Sequence, residues 1–135
     1  MSESIIKEKA LGFAKRIVDM YQYLTREKNE FILSKQIFRS GTSIGANVTE
    51  GLEAESRDDF KHKLHIALKE TSETIYWLEL LRYGEFITEK QYKSINKDAW
   101  EIKKILRSII KTIVDGNTGC EDERKDVEGD LTLNS

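Results

Sequence analysis

The sequence predicts an all-α protein built as an antiparallel up-down-up-down four-helix bundle. Three observations carry that expectation. Apolar residues recur at alternating spacings of three and four in four successive segments, the pattern of helices that each bury one stripe. The segments are similar in length and short connections separate them, as antiparallel neighbours require. The 135 residues include no proline, and 34% are charged, well above the usual quarter. The length suits one domain with a proper core.

The first helix is expected from Ser4 to Leu24, with the seam Ile6, Ala10, Phe13, Ile17, Met20 and Leu24. Ser4 is the candidate N-cap, its hydroxyl accepting from free N–H groups of the first turn. Thr25 to Glu30 is wholly polar and reads as a connection. The second helix runs from Phe31 to Glu53. Ser56 and Asp59 then resemble a capping box, and the third helix follows from Arg57 to Tyr83. Its seam is Phe60, Leu64, Ala67, Thr71, Thr74, Leu78 and Leu81, thickened by Leu68 and Ile75. Gly84 is the expected left-handed stop. Thr88 and Gln91 form a full capping box for the fourth helix, whose seam is Tyr92, Ile95, Ala99, Ile102, Leu106, Ile109 and Ile113. Gly116 is expected to end it, so the bundle occupies residues 1–115. Residues 116–135 carry six acids against Arg124 and Lys125, have no apolar stripe, and read as a mobile acidic tail.

The second helix is unusual in its seam, which is Ile37, Gly41, Ile44, Val48 and Gly51, with Gly45 one turn after Gly41. A glycine inside a helix costs roughly 1 kcal/mol against alanine, so these glycines imply tight helix packing, read here as close approach of another backbone. Beside the seam runs a polar line, Arg39, Ser43, Asn47 and Glu50. Half-buried polar groups must be hydrogen-bonded. Two readings stay open: a network within one bundle reaching Glu70, Glu73 or Lys69 of the third helix, or a contact between subunits.

Residue types for catalysis are scarce. A di-metal carboxylate site in a bundle uses two Glu-x-x-His pairs on different helices. His62 and His65 are the only histidines, they lie on one helix, and neither follows a glutamate by three. Ser40, Ser43 and Ser72 have no evident base, and Cys120 lies in the tail without a basic setting. Gly41 and Gly45 are not a phosphate loop, for no Gly-Lys-Ser/Thr ending follows. No enzyme activity, metal or cofactor is expected. No apolar run approaches the ~20 residues that span a bilayer, and the N-terminus lacks the apolar core of a signal peptide. With a single cysteine, the expected location is the cytoplasm.

Two surfaces are candidates for partners. Tyr76, Trp77, Leu80 and Tyr83 widen the apolar face of the third helix beyond a narrow seam, as Ile105 and Ile110 do for the fourth. Aromatic residues are enriched at the cores of interfaces. On the fourth helix Lys90, Lys93, Lys97, Lys104 and Lys111 line up opposite the seam, and Arg107 extends them. That stripe is the candidate contact for RNA or DNA phosphates, although Glu101 lies close to it and no aromatic residue is expected to interleave for base stacking.

Arg39-Ser-Gly-Thr-Ser-Ile-Gly-Ala-Asn47 followed by Glu50 resembles the signature of the four-helix-bundle proteins encoded in intervening sequences of bacterial 23S ribosomal RNA genes. The likeness continues through Ser56-Arg-Asp-Asp-Phe60, Lys63-Leu-His-Ile-Ala-Leu-Lys-Glu70, Glu73-Thr-Ile-Tyr-Trp-Leu78 and Leu80-Leu81. Many members have proline where this chain has Gly45 and alanine where it has Thr49; the Gly45 form resembles one recurrent branch. The resemblance covers residues 10–113 and implies a bacterial source, a four-helix bundle and a cyclic homopentamer. Related pentameric accessory proteins of diversity-generating retroelements bind nucleic acid and a reverse transcriptase. Two functions follow as expectations. One is a non-enzymatic ring that scaffolds a protein or RNA partner. The other is a nucleic-acid-binding protein acting on the intervening segment or its processing.

Overall fold

The computed structural model describes residues 2–118. Four helices follow one another: α1 (Ser2–Arg26), α2 (Leu33–Leu52), α3 (Arg57–Tyr83) and α4 (Glu89–Thr118). Each packs on its neighbours in sequence, and α1 closes the square on α4 along the sparsest of the four seams. The bundle is therefore up-down-up-down, as the four apolar stripes require.

The seams lie where the spacing puts them. Every named seam residue of α4 is buried, as are Ile37, Gly41, Ile44, Val48 and Gly51 of α2. Only Met20 of α1 and Phe60 of α3 are half-buried members of their stripes. Each fully buried isoleucine or leucine contributes about 1.5–3 kcal/mol relative to an exposed one. Hydroxyls of Ser34, Ser40, Thr71 and Thr74 interrupt this apolar interior, and Thr74 Oγ1 donates to Ser40 Oγ at 2.9 Å, tying α3 to α2. Across the looser α1–α4 seam the links are polar. Arg16 bonds Asp98 at 2.7 Å and Ser94 Oγ at 3.0 Å, and Lys9 pairs with Glu101 at 3.1 Å.

The helix ends hold most of the corrections. Ser4 is not an N-cap, because α1 already runs through it from Ser2. At α2, Phe31 stands outside the helix, and the start is set by Glu30 instead of by a residue in the helix. The buried Glu30 carboxylate accepts from the N–H groups of Ile32, Leu33 and Ser34 at 3.1, 2.8 and 2.6 Å. It thus satisfies donors that the first turn leaves without partners and places negative charge at the positive end of the helix dipole. Ser56 caps α3 as expected, accepting from the Asp59 N–H at 3.0 Å. The Thr88–Gln91 box opens α4 with reciprocal bonds of 3.1 and 2.8 Å.

The α3 stop is displaced by one residue. Gly84 is right-handed, at φ −78°, and Glu85 takes the left-handed conformation at φ 62°. The N–H of Phe86 reaches the carbonyl of Leu81 at 3.0 Å, and that of Glu85 reaches Arg82 at 3.0 Å, the two bonds of a Schellman ending. Glycine is still needed at 84 for space, since a Cβ there would meet the Phe86 ring at 2.8 Å. Gly116 does not end α4, which continues to Thr118. The acidic tail, with Cys120, lies from residue 119 onward outside the described residues.

Candidate functional site: the α2–α3 flank and the outer face of α4

Of the three glycines read as tight contacts, two are. A Cβ at Gly41 would meet Ile17 of α1 at 2.7 Å, and one at Gly51 would meet Lys63 Cβ of α3 at 3.2 Å. The object close to Gly41 is a side chain and not a backbone, which corrects the expectation. Gly45 is not tight at all: its nearest neighbours, on Ala10, stand at 3.6 Å, an ordinary van der Waals distance.

The polar line of α2 forms a network within one bundle. Arg39 reaches across to α3, pairing with Glu70 at 3.4 Å and more closely with Glu73. Trp77 Nε1 donates to the same Glu73 carboxylate at 3.1 Å. Burial pushes the Glu73 carboxyl up, but the bonds from Arg39 and Trp77 outweigh it and leave it below its ordinary value. The bond to Glu73 likewise raises Arg39. One turn from the other end, Glu50 takes Lys63 at 2.9 Å. Ser43 and Asn47 do not cross between helices. Ser43 Oγ donates to the Arg39 carbonyl at 2.6 Å, and Asn47 Nδ2 to the Ser43 carbonyl at 2.8 Å. Helical hydroxyls and amides placed this way satisfy themselves on the preceding turn. Lys69 takes no part in these bonds.

Aromatic groups border this network. Tyr76 and Tyr83 are 57% and 87% exposed, while Trp77 and Leu80 are half-buried. The Tyr76 and Trp77 rings meet edge to face, 5.1 Å apart. Ile32, just before α2 and 76% exposed, was not singled out in the sequence because it reads as part of a helix start. A second apolar set lies on the opposite flank: Leu11 and Val18 of α1 and Phe38 of α2 are exposed, with Phe38 packed on Tyr21 at 4.8 Å. Their signal was the seven-residue spacing of Leu11 and Val18, off the seam.

On α4, Lys90, Lys93, Lys97 and Lys104 are exposed as expected, whereas Arg107 and Lys111 are half-buried. The stripe does contain an aromatic residue, contrary to expectation. Trp100 lies on the same face, and the Lys103 ammonium sits 4.5 Å from its ring centroid. The nearby Glu101 is turned toward α1, where Lys9 holds it. Among the described residues no three of His, Cys, Asp and Glu are grouped as metal ligands, and no helix is long and apolar enough to cross a membrane.

The sequence model of the 23S rRNA-intervening sequence protein family matches residues 2–108. The chain belongs to that family. A crystal structure of a protein of unknown function from the S23 ribosomal protein family of Bacteroides thetaiotaomicron is 58% identical to it. That likeness covers 82% of this chain and 99% of the other, with a TM-score of 0.82. Comparison with curated proteins gives no match.

In this intervening-sequence protein the signature residues do identifiable physical work. Arg39, Glu70, Glu73 and Trp77 join into one charged network that sets α2 against α3. Gly41 and Gly51 let α2 lie close to α1 and to α3 respectively.

Proposed function

We propose that the protein is a non-enzymatic assembly module whose chains associate into a ring, a homopentamer, that scaffolds a protein or RNA partner in the bacterial cytoplasm. The exposed aromatic border of the α2–α3 flank carries this reading: Tyr76 and Tyr83 stand in water next to half-buried Trp77 and Leu80. Arg39 and Glu73 beneath them are held in place, so the flank is pre-organised for a partner. A ring requires two different patches on each chain. Leu11, Val18 and Phe38 on the opposite flank supply the second. Light scattering tests the reading. The wild-type chain should give several times 15.7 kDa, and the Tyr76→Glu, Leu80→Glu double variant should fall to that mass with its helix content unchanged. A wild-type monomer would defeat the proposal.

A second reading has specific support on α4. Three of the acids of that helix are drawn off by neighbours, Asp98 by Arg16, Glu101 by Lys9 and Glu89 by Arg82. The outer face is left cationic, with Lys90, Lys93, Lys97 and Lys104 exposed. In this reading that face contacts phosphates of RNA or DNA, and a salt titration of binding to structured RNA tests it.

A further inference from the structure

The cations of α4 are not equivalent. Lys90, Lys93, Lys97 and Lys104 extend into water, where a lysine needs no partner. Lys103 is only 8% exposed, yet it is charged and lies one turn from Arg107. The ion pairs among the described residues engage Lys9, Arg16, Arg39, Lys63 and Arg82, and none engages Lys103 or Arg107. Arg107 Nε is buried and has no hydrogen-bond partner. What holds Lys103 is the face of Trp100, 4.5 Å from its ammonium. Two cations kept partly from water without an acid between them are unfavourable unless an anion completes the group. Burial, with Arg107 adding to it, lowers the affinity of Lys103 for its proton.

We infer that Trp100, Lys103 and Arg107 form a binding site for single-stranded nucleic acid, with a phosphodiester between the two cations and a base stacked at the Trp100 indole. The proposal rests on the nucleic-acid reading of α4 and narrows it to one turn of the helix. A phosphate accepts from a lysine ammonium and from the Nη groups of an arginine, so it supplies the negative charge that the pair lacks. An indole beside those cations is the stacking platform that single strands use and that duplexes, whose bases are already stacked, do not. Lys97 and Lys104, exposed one turn to either side of Trp100, continue the backbone track.

The test is fluorescence anisotropy with a labelled uridine-rich single-stranded RNA, its DNA counterpart and a duplex RNA. The proteins are wild type, Trp100→Ala, Trp100→Phe, Lys103→Gln and Arg107→Gln, with Lys35→Gln on α2 as the remote control. Single strands should bind more tightly than the duplex and should quench tryptophan emission. The RNA and DNA arms identify which strand supplies the phosphodiester. Trp100→Ala should weaken single-strand binding at least about fivefold and Trp100→Phe much less. Lys103→Gln and Arg107→Gln should each reduce the slope of log affinity against log salt by about 0.7, the signature of one lost phosphate contact. Lys35→Gln should change neither quantity. Wild type that binds while all three site variants bind equally well overturns this site and leaves the broader α4 reading intact. Wild type that binds none of the three probes overturns both.

Discussion

A Cβ at Gly41 would stand 2.7 Å from Cγ1 of Ile17, a side chain that is wholly buried in the bundle. This contact between α2 and α1 is the closest that a Cβ would make at any described glycine, and it separates the glycines of the signature into different kinds. Gly41→Ala should lower stability by about 1–3 kcal/mol, because the branched Ile17 must shift within a packed core. Ile17→Val alone should cost about 0.5–1.5 kcal/mol, and together the two changes should cost less than their sum. Gly45→Ala should instead be neutral or stabilising by up to ~1 kcal/mol, since its neighbours at 3.6 Å leave room and alanine is the better helix former. Chemical denaturation of the four variants checks this. A strictly additive Gly41–Ile17 pair would show that their contact is not the constraint.

The end of α3 gives a second prediction. Glu85 holds the left-handed conformation at φ 62°, which costs a non-glycine residue roughly 1–2 kcal/mol. Glu85→Gly should therefore raise the midpoint of thermal unfolding, whereas Gly84→Ala should lower it by pushing on the Phe86 ring. Exchange of the two residues' roles, with Gly84→Ala harmless, would contradict the assigned geometry.

Tyr92 sets a pH dependence at the same end of the bundle. Burial, and then its hydrogen bond to Glu79, push its hydroxyl from 10.0 up to about 12. Arg82 lies over the ring, 4.1 Å from its centroid. A group that holds its proton more tightly when folded contributes stability in full below its unfolded value and loses it as pH rises through the folded one. Stability should accordingly fall between about pH 10 and 12, and Tyr92→Phe should remove that component of the loss. Glu79 acts in the opposite range. The Tyr92 bond holds its carboxyl below 4.5, so its contribution is present above that value and fades in acid. Ultraviolet titration of tyrosinate should show a late-ionising component in the wild type that Tyr92→Phe removes.

The four stripes were legible because burial repeats with the helix period, and every α4 seam residue named from spacing is buried. Helix ends were harder to read, since capping depends on conformation as well as residue type. Glu30 caps α2 from a stretch that reads as polar linker, and the left-handed position fell on Glu85 beside a glycine that looked the better candidate. The Arg39 pairing with Glu70 and Glu73 could be anticipated from residue types, and the coordinates add its geometry within the bundle. Ile32, Leu11 and Val18 escaped notice because an apolar residue off the seam looks incidental until its exposure is known. Trp100 was legible but passed over: at 100° per residue it falls beside Lys93 and Lys111 on the helix surface.

The central claim is that exposed flanks on either side of α2 join copies of this chain into a closed ring. Native mass spectrometry of the wild-type protein at micromolar concentration tests it most directly, because it counts subunits without reference to shape. The account predicts a dominant species at five times 15.7 kDa that dissociates when Tyr76 and Leu80 are both changed to glutamate. A single species at 15.7 kDa, unchanged by those substitutions, would contradict it.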